Sequence, residues 1–88
     1  MNEIEQLERE IDLAGKAEVA FNLFIKDFIE RKEKDLFVAF QDLSSGDKEG
    51  LMEIKKMHIA VKALEVEIKS VMASGKMAEA SLNEIEGK

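Results

Sequence analysis

The 88-residue chain has no cysteine, proline, tryptophan or tyrosine, and a single histidine. Without cysteine, neither a disulfide framework nor a thiolate metal site is available. Without proline, and with Ala, Leu, Glu, Lys and Met abundant, little interrupts helix, and an all-α chain is expected. No run approaches the roughly 18 to 20 uninterrupted apolar residues that span a bilayer. The start, MNEIEQLEREID, is acidic where a secretory signal needs a basic and then an apolar region, so a soluble intracellular protein without membrane contact is expected. A cationic surplus is also missing: 13 Lys and Arg against 19 Asp and Glu leave a net charge of −6. That balance argues against general nucleic-acid binding, which draws on excess Lys and Arg to release counterions from phosphates. Five phenylalanines without Trp or Tyr point to aromatic packing rather than a platform for stacking bases. A chain this short buries little apolar surface alone, and a homo-oligomer is expected.

The most regular stretch is Asp47 to Met77. Leu51, Ile54, His58, Val61, Leu64, Ile68 and Met72 recur at spacings of three and four and so lie on one side of a helix. On a flank of that side stand Lys48, Lys55, Lys62, Lys69 and Lys76, each seven residues from the last. Seven residues advance nearly two full turns, so the five ammonium groups form a gently winding line roughly 42 Å long. Such a line could track phosphates or an acidic partner. Its preferred role is the edge of a helix–helix interface, where lysine stems cover apolar surface and their heads stay wet. Glu65, within one turn of Lys62 and Lys69, weakens the field further. Met52, Met57, Met72 and Met77 border the same region and read as core filling.

Upstream, Ile4, Leu7, Ile11 and Ala14 give two heptads of coiled-coil seam among Glu3, Glu5, Glu8, Arg9, Glu10 and Asp12. Docking of this amphipathic segment on its own domain is the competing reading. Gly15 follows as a kink, a close contact or neither. Ala17, Phe21, Phe24, Ile25, Phe28 and Ile29 then form a wide apolar face, resumed by Leu36, Phe37, Phe40 and Leu43. The six charges from Glu30 to Asp35 between them read as a solvated stretch held by pairs such as Glu30 with Lys34, with a helix break there as the alternative. Leu43-Ser44-Ser45-Gly46-Asp47 is a turn in which Gly46 suits a left-handed conformation and Ser45 or Asp47 caps the next helix. So short a connection joins antiparallel neighbours. Ser74-Gly75 reads as a second stop.

The expected fold is therefore all-α: an antiparallel helical hairpin of two long helices with a short C-terminal third helix, self-associating. One helical domain spans 1–88, with an acidic N-terminal helical extension at 1–14, helix one at 16–43, helix two at 47–74 and helix three at 76–86. In that arrangement the first 13 residues overhang helix two and meet only the tail. The tail is acidic too, through Glu79, Glu84 and Glu86, so opposing the two ends within one chain is unfavourable. A neighbouring subunit's lysine row would then accept the acidic start, which makes Lys48, Lys55, Lys62, Lys69, Lys76, Ile4, Leu7 and Ile11 the candidate interaction residues.

Little chemistry is encoded. His58 falls on the apolar side between Ile54 and Val61 and reads as a partly buried packing residue, since a catalytic role needs an orienting carboxylate and a nucleophile or pocket. No Glu-x-x-His pairing, calcium-loop spacing or phosphate-cradling glycine loop occurs. No catalytic, cofactor-binding or metal-binding residue is assigned, and no enzyme activity or cofactor is expected.

Three runs carry a resemblance: Ser45-Gly46-Asp47-Lys48-Glu49-Gly50-Leu51, His58-Ile59-Ala60-Val61-Lys62-Ala63-Leu64, and Ile68 through Ala78 with its closing Gly75-Lys76-Met77-Ala78. Over about residues 20 to 82 the chain resembles a group of small α-helical proteins of tailed bacteriophages, often encoded among head and portal genes. It departs from that group in lacking an aromatic such as Trp near Phe37 to Phe40 and an Arg at Leu51 or Met52. The resemblance implies a virion or host-cytoplasm setting and a larger virion protein as partner, with no activity or site residues to transfer. The expected function is a non-enzymatic structural or assembly component of the head, portal or tail region. The alternatives are a small acidic inhibitor or adaptor on a host protein and, third, a nucleic-acid binder using the lysine row.

Overall fold

The computed structural model describes residues 2–87, so Met1, the first residue of the expected extension, lies outside it. The described chain is helical almost throughout and has no strand. Helix α1 runs Glu3–Ala20, a π-helical turn spans Phe21–Ile25, and α2 continues Lys26–Asp42. The three make one unbroken rod. A tight turn then leads into α3, Lys48–Glu86, which packs back along the whole rod, giving a hairpin 64 Å long and 22 × 18 Å in section.

Local chemistry sets the ends. The Asn2 side chain accepts from the Glu5 N–H at 2.8 Å, and Glu3 and Glu5 stand in the first turn, where negative charge is favoured. In the connection, the Asp47 N–H donates to the Ser44 carbonyl at 3.0 Å, and the Asp47 side chain caps α3 by accepting from the Gly50 N–H at 2.8 Å. Asp47 rather than Ser45 is therefore the cap. Gly46 is not left-handed: no described residue has a positive φ, so the reversal needs no glycine there.

Leu7, Ala14 and Phe21 are seven apart, as are Ile29, Leu36 and Leu43, and all six are buried or half-buried. Between Phe21 and Ile29 the step is eight. Across from them Ile54, Val61, Ile68, Gly75 and Leu82 keep a step of seven throughout. The rod thus carries one residue more than α3 over the paired length. In a regular helix that residue would rotate everything after it by about 100°, out of the seam. The wide turn at Phe21–Ile25, where the Lys26 N–H donates to the Phe21 carbonyl five residues back, absorbs it.

The expected boundaries at Gly15 and at Ser74-Gly75 are both absent, and α1 runs straight through Gly15 to Ala20. There is no separate third helix at 76–86, because α3 passes straight through Ser74-Gly75. Gly75 serves contact rather than termination: it is buried, and a Cβ built there would collide with the Ala14 Cβ and reach 3.5 Å from the Glu10 carbonyl oxygen. The helix also holds across Glu30 to Asp35, and its irregularity falls earlier, at the π turn. Since α3 is long enough to pair with α1, the acidic ends do lie side by side. Ala14, Gly75, Ala78, Leu7 and Leu82 make the seam there, and Glu3, Glu5, Glu8, Glu79, Glu84 and Glu86 all remain exposed to water.

The two glycines nearest the crossing should respond oppositely to alanine. A methyl group added at Gly15 would meet nothing within 4 Å, so Gly15→Ala should stabilise by about 0.5–1 kcal/mol through helix propensity. Gly75→Ala gains the same propensity but overpacks the seam, at about 1–3 kcal/mol. Urea midpoints at one protein concentration should rise for the first and fall for the second. A Gly75→Ala protein as stable as the parent would refute the close crossing.

Candidate functional site

A hairpin has one seam and two open flanks, and helical phase decides what each flank carries. A residue one or four places after a seam position turns to one flank, and a residue three places after or one before turns to the other.

The first flank is polar in its middle and apolar near the turn. On α3 it takes Lys55, His58, Lys62, Glu65, Lys69 and Lys76, and on α2 it takes Glu30 and Glu33 and then Phe37 and Phe40, which are both exposed. Lys62 is the hub, with its Nζ 3.1 Å from Glu33 across the seam and 3.2 Å from Glu65 on its own helix. Hydrogen bonds to Glu33 and then Glu65 raise the Lys62 pKa above the ordinary lysine value, and the bond from Lys62 holds the Glu65 carboxyl below the ordinary glutamate value. Lys69 completes the group, 3.5 Å from Glu65 and 5.9 Å from the centre of the Phe21 ring. Lysines 62 and 69 thus clasp the seam edge from outside. Glu33 uses its charge across the hairpin, whereas the expected Glu30–Lys34 pair is not formed among the described residues.

His58 and Leu51, read from sequence as part of the apolar stripe, are both exposed, as is Leu64. His58 borders a shallow groove with Glu33, Leu36, Phe37, Phe40 and Ile54 near the turn. Lys48, Lys55 and Lys76 are exposed at other points of the row. At the open end, Leu7 and Ile11 are half-buried and Ile4 is exposed. Leu7 lies with Glu10 against Ser74, Met77, Ala78 and Ser81, so this segment docks on its own α3.

The second flank is apolar, and it was not separated from the seam in the sequence. On the rod it takes Leu13, Ala17, Ala20, Phe24 and Phe28, and on α3 Met57, Ala60, Leu64 and Val71. Phe24 is 70% exposed, Leu13 57% and Met57 51%. A signal was available: three apolar columns per heptad on both helices are more than one seam can cover. The charges nearest the middle of this flank are Lys32, 5.7 Å from the centre of the Phe28 ring, and Glu67.

Among the described residues no group of three His, Cys, Asp or Glu side chains could hold a metal ion, and no helix is long and apolar enough to cross a membrane. Compared with known proteins, the chain matches no family model, no curated protein and no solved structure.

The Lys62 group makes a pH prediction. Because the folded state depresses the Glu65 pKa, its contribution is present above the ordinary glutamate value and is lost as pH falls through the lower folded value. Glu65→Gln should therefore lower the melting temperature slightly at neutral pH and leave it unchanged in strong acid, where Glu65 is protonated in the parent. An equal loss at both pH values would mean that packing, not charge, is what Glu65 supplies.

Proposed function

We propose that this chain is a non-enzymatic protein that acts by helix-mediated association, as a structural or assembly component of a phage particle in its head, portal or tail region. The observation that carries this reading is the apolar flank. Large side chains that a self-sufficient bundle would bury, among them Leu13, Phe24, Met57 and Leu64, stand in water along a hairpin 64 Å long. Patches of this kind mark sites of protein contact. The phage setting draws on the resemblance carried by Gly75-Lys76-Met77-Ala78 and the runs before it. Use of the lysine row on nucleic acid ranks below, because Glu33 and Glu65 neutralise its centre.

An inhibitor or adaptor on a host protein is the second reading. It draws on the open end of the hairpin, where exposed Glu3, Glu5, Glu8, Glu79, Glu84 and Glu86 would suit a basic surface.

Quantitative mass spectrometry of purified particles and assembly intermediates tests the first reading. The chain should be present at a fixed ratio to the portal or capsid subunits and depleted when Phe24→Glu is introduced. Its absence from particles and intermediates alike would overturn the virion role and leave the host-directed reading.

A further inference from the structure

We infer that α3 pairs through its outer face with α3 of a second copy, parallel and in register, so that the lysine row of each copy runs beside Glu67 of the partner subunit. This face is separate from the apolar flank that carries the association reading, so the two stand or fall apart.

The back of α3 is the first argument. Residues two and five places after a seam position stand opposite the seam. On α3 these are Ile59, Ala63, Val66, Ser70, Ala73, Met77 and Ala80, all exposed and none charged. Their steps alternate between four and three, and Lys56 and Glu84 close the column at its ends. Ile59 is 57% exposed, Val66 65% and Met77 71%. On the rod the same positions hold Arg9, Asp12 and Lys16 toward the open end and Asp27, Arg31 and Lys34 toward the turn, with Val19 and Leu23 between. A helix back that only meets water is charged, as the rod's is. A column uncharged over about three heptads is the pattern of a coiled-coil face. Because the seam residues of α3 keep a step of seven, the column opposite them keeps it too and does not wind off its face.

Charge selects the occupant and its direction. Beside the column, on the polar-flank side, run Lys55, Lys62, Lys69 and Lys76, and along its other side run Ala60, Glu67, Ser74 and Ser81. These are the two edge positions of a heptad. In a parallel, in-register pair each lysine faces the opposite edge of the other strand, five places further on. Lys62 then meets Glu67 of the partner subunit, twice per dimer, and the remaining lysines meet the uncharged Ala60, Ser74 and Ser81 of the partner subunit. A two-fold axis along α3 produces this arrangement, with the rods outermost. Antiparallel pairing of the same faces would instead set one lysine row against the other, which like-charge repulsion opposes. The surface is thus complementary to itself in one direction only, and its pairing is closed. Lys62 stays at the wet rim of such a pair and keeps its bonds to Glu33 and Glu65.

The test uses the purified full chain, with mass followed by sedimentation equilibrium and light scattering and folding by circular dichroism. The parent should have twice the chain mass. Val66→Glu sets two carboxylates against each other within the column and should raise the dimer dissociation constant about a hundredfold, and Glu67→Lys should raise it about tenfold. Both side chains are exposed in the single hairpin, so each variant should remain helical. Phe24→Glu, on the apolar flank, should leave the dimer intact. Direction has its own readout, since the chain has no cysteine. Ala63→Cys and Ala73→Cys, each alone, should form a covalent dimer under mild oxidation, because a parallel pair in register holds each position opposite its own copy and an antiparallel pair does not. A monomeric parent, a dimer that survives Val66→Glu, or no cross-link through either cysteine would overturn the inference. A dimer lost through Phe24→Glu but not through Val66→Glu would also overturn it and leave the association reading standing. Absence from particles alongside an intact α3 pair would overturn that reading and leave this inference in place.

Discussion

The close crossing of Ala14 and Gly75 is the constraint on which the rest of the hairpin depends. Because neither residue carries bulk at that point, α1 and the last third of α3 approach closely enough for the acidic ends to run together without sharing a seam. The seam there buries small residues, Ala14, Gly75 and Ala78, while glutamates splay outward into water, which screens them. Toward the turn the same seam opens to admit Phe21, Ile29 and Leu36, and its edge is clasped by the ion pairs of Lys62. The hairpin thus closes on small residues at the crossing, with Leu7 and Leu82 filling the seam on the open side of it and larger side chains from Phe21 to Leu36 on the turn side.

The dependence of the seam on contacts between distant residues separates what was legible in the sequence from what was not. Helical periodicity, the antiparallel reversal and the Asp47 cap follow from local rules that tertiary contacts did not override. Ser74-Gly75 misled because a glycine that ends a helix and a glycine that lets two helices touch are the same letter. Only the partner, Ala14, tells them apart, and it lies 61 residues away in the chain. The π turn was hidden for a related reason. An eight-residue step from Phe21 to Ile29 looks like an ordinary widening of an apolar face until the opposite helix, with its uninterrupted sevens, shows that one residue is in excess. The lysine row was plain as a spacing, but its role needed Glu33, which a reading of one helix at a time assigns only to a solvated charge run.

The two flanks differ in the direction of their energetics. On the polar flank the charges are already paired at the protein surface, where each pair contributes little and dehydration would cost more than it returns. On the apolar flank the balance is reversed, because Phe24, Leu64 and Met57 each have area left to bury at about 25 cal/mol per Å². The seam buries five apolar side chains among the described residues: Ala14, Phe21, Ile29, Leu36 and Ala78, two of them alanines. Much of the burial open to this sequence therefore lies outside its own seam, and a partner on the apolar flank would stabilise the fold as well as bind it.

The same asymmetry limits how far association would run. If both flanks were apolar, hairpins could add side by side without end, as open assemblies do when an interface does not close. Here a partner on the apolar flank would leave the lysine-bearing flank facing outward, and anything docking on the middle of that flank would have to bury Lys62 and its carboxylate partners. The lysine row acts on this view as a stop. It fixes the seam edge within one chain and keeps its own flank wet, which leaves the apolar columns of the other flank as the side with most area still to bury.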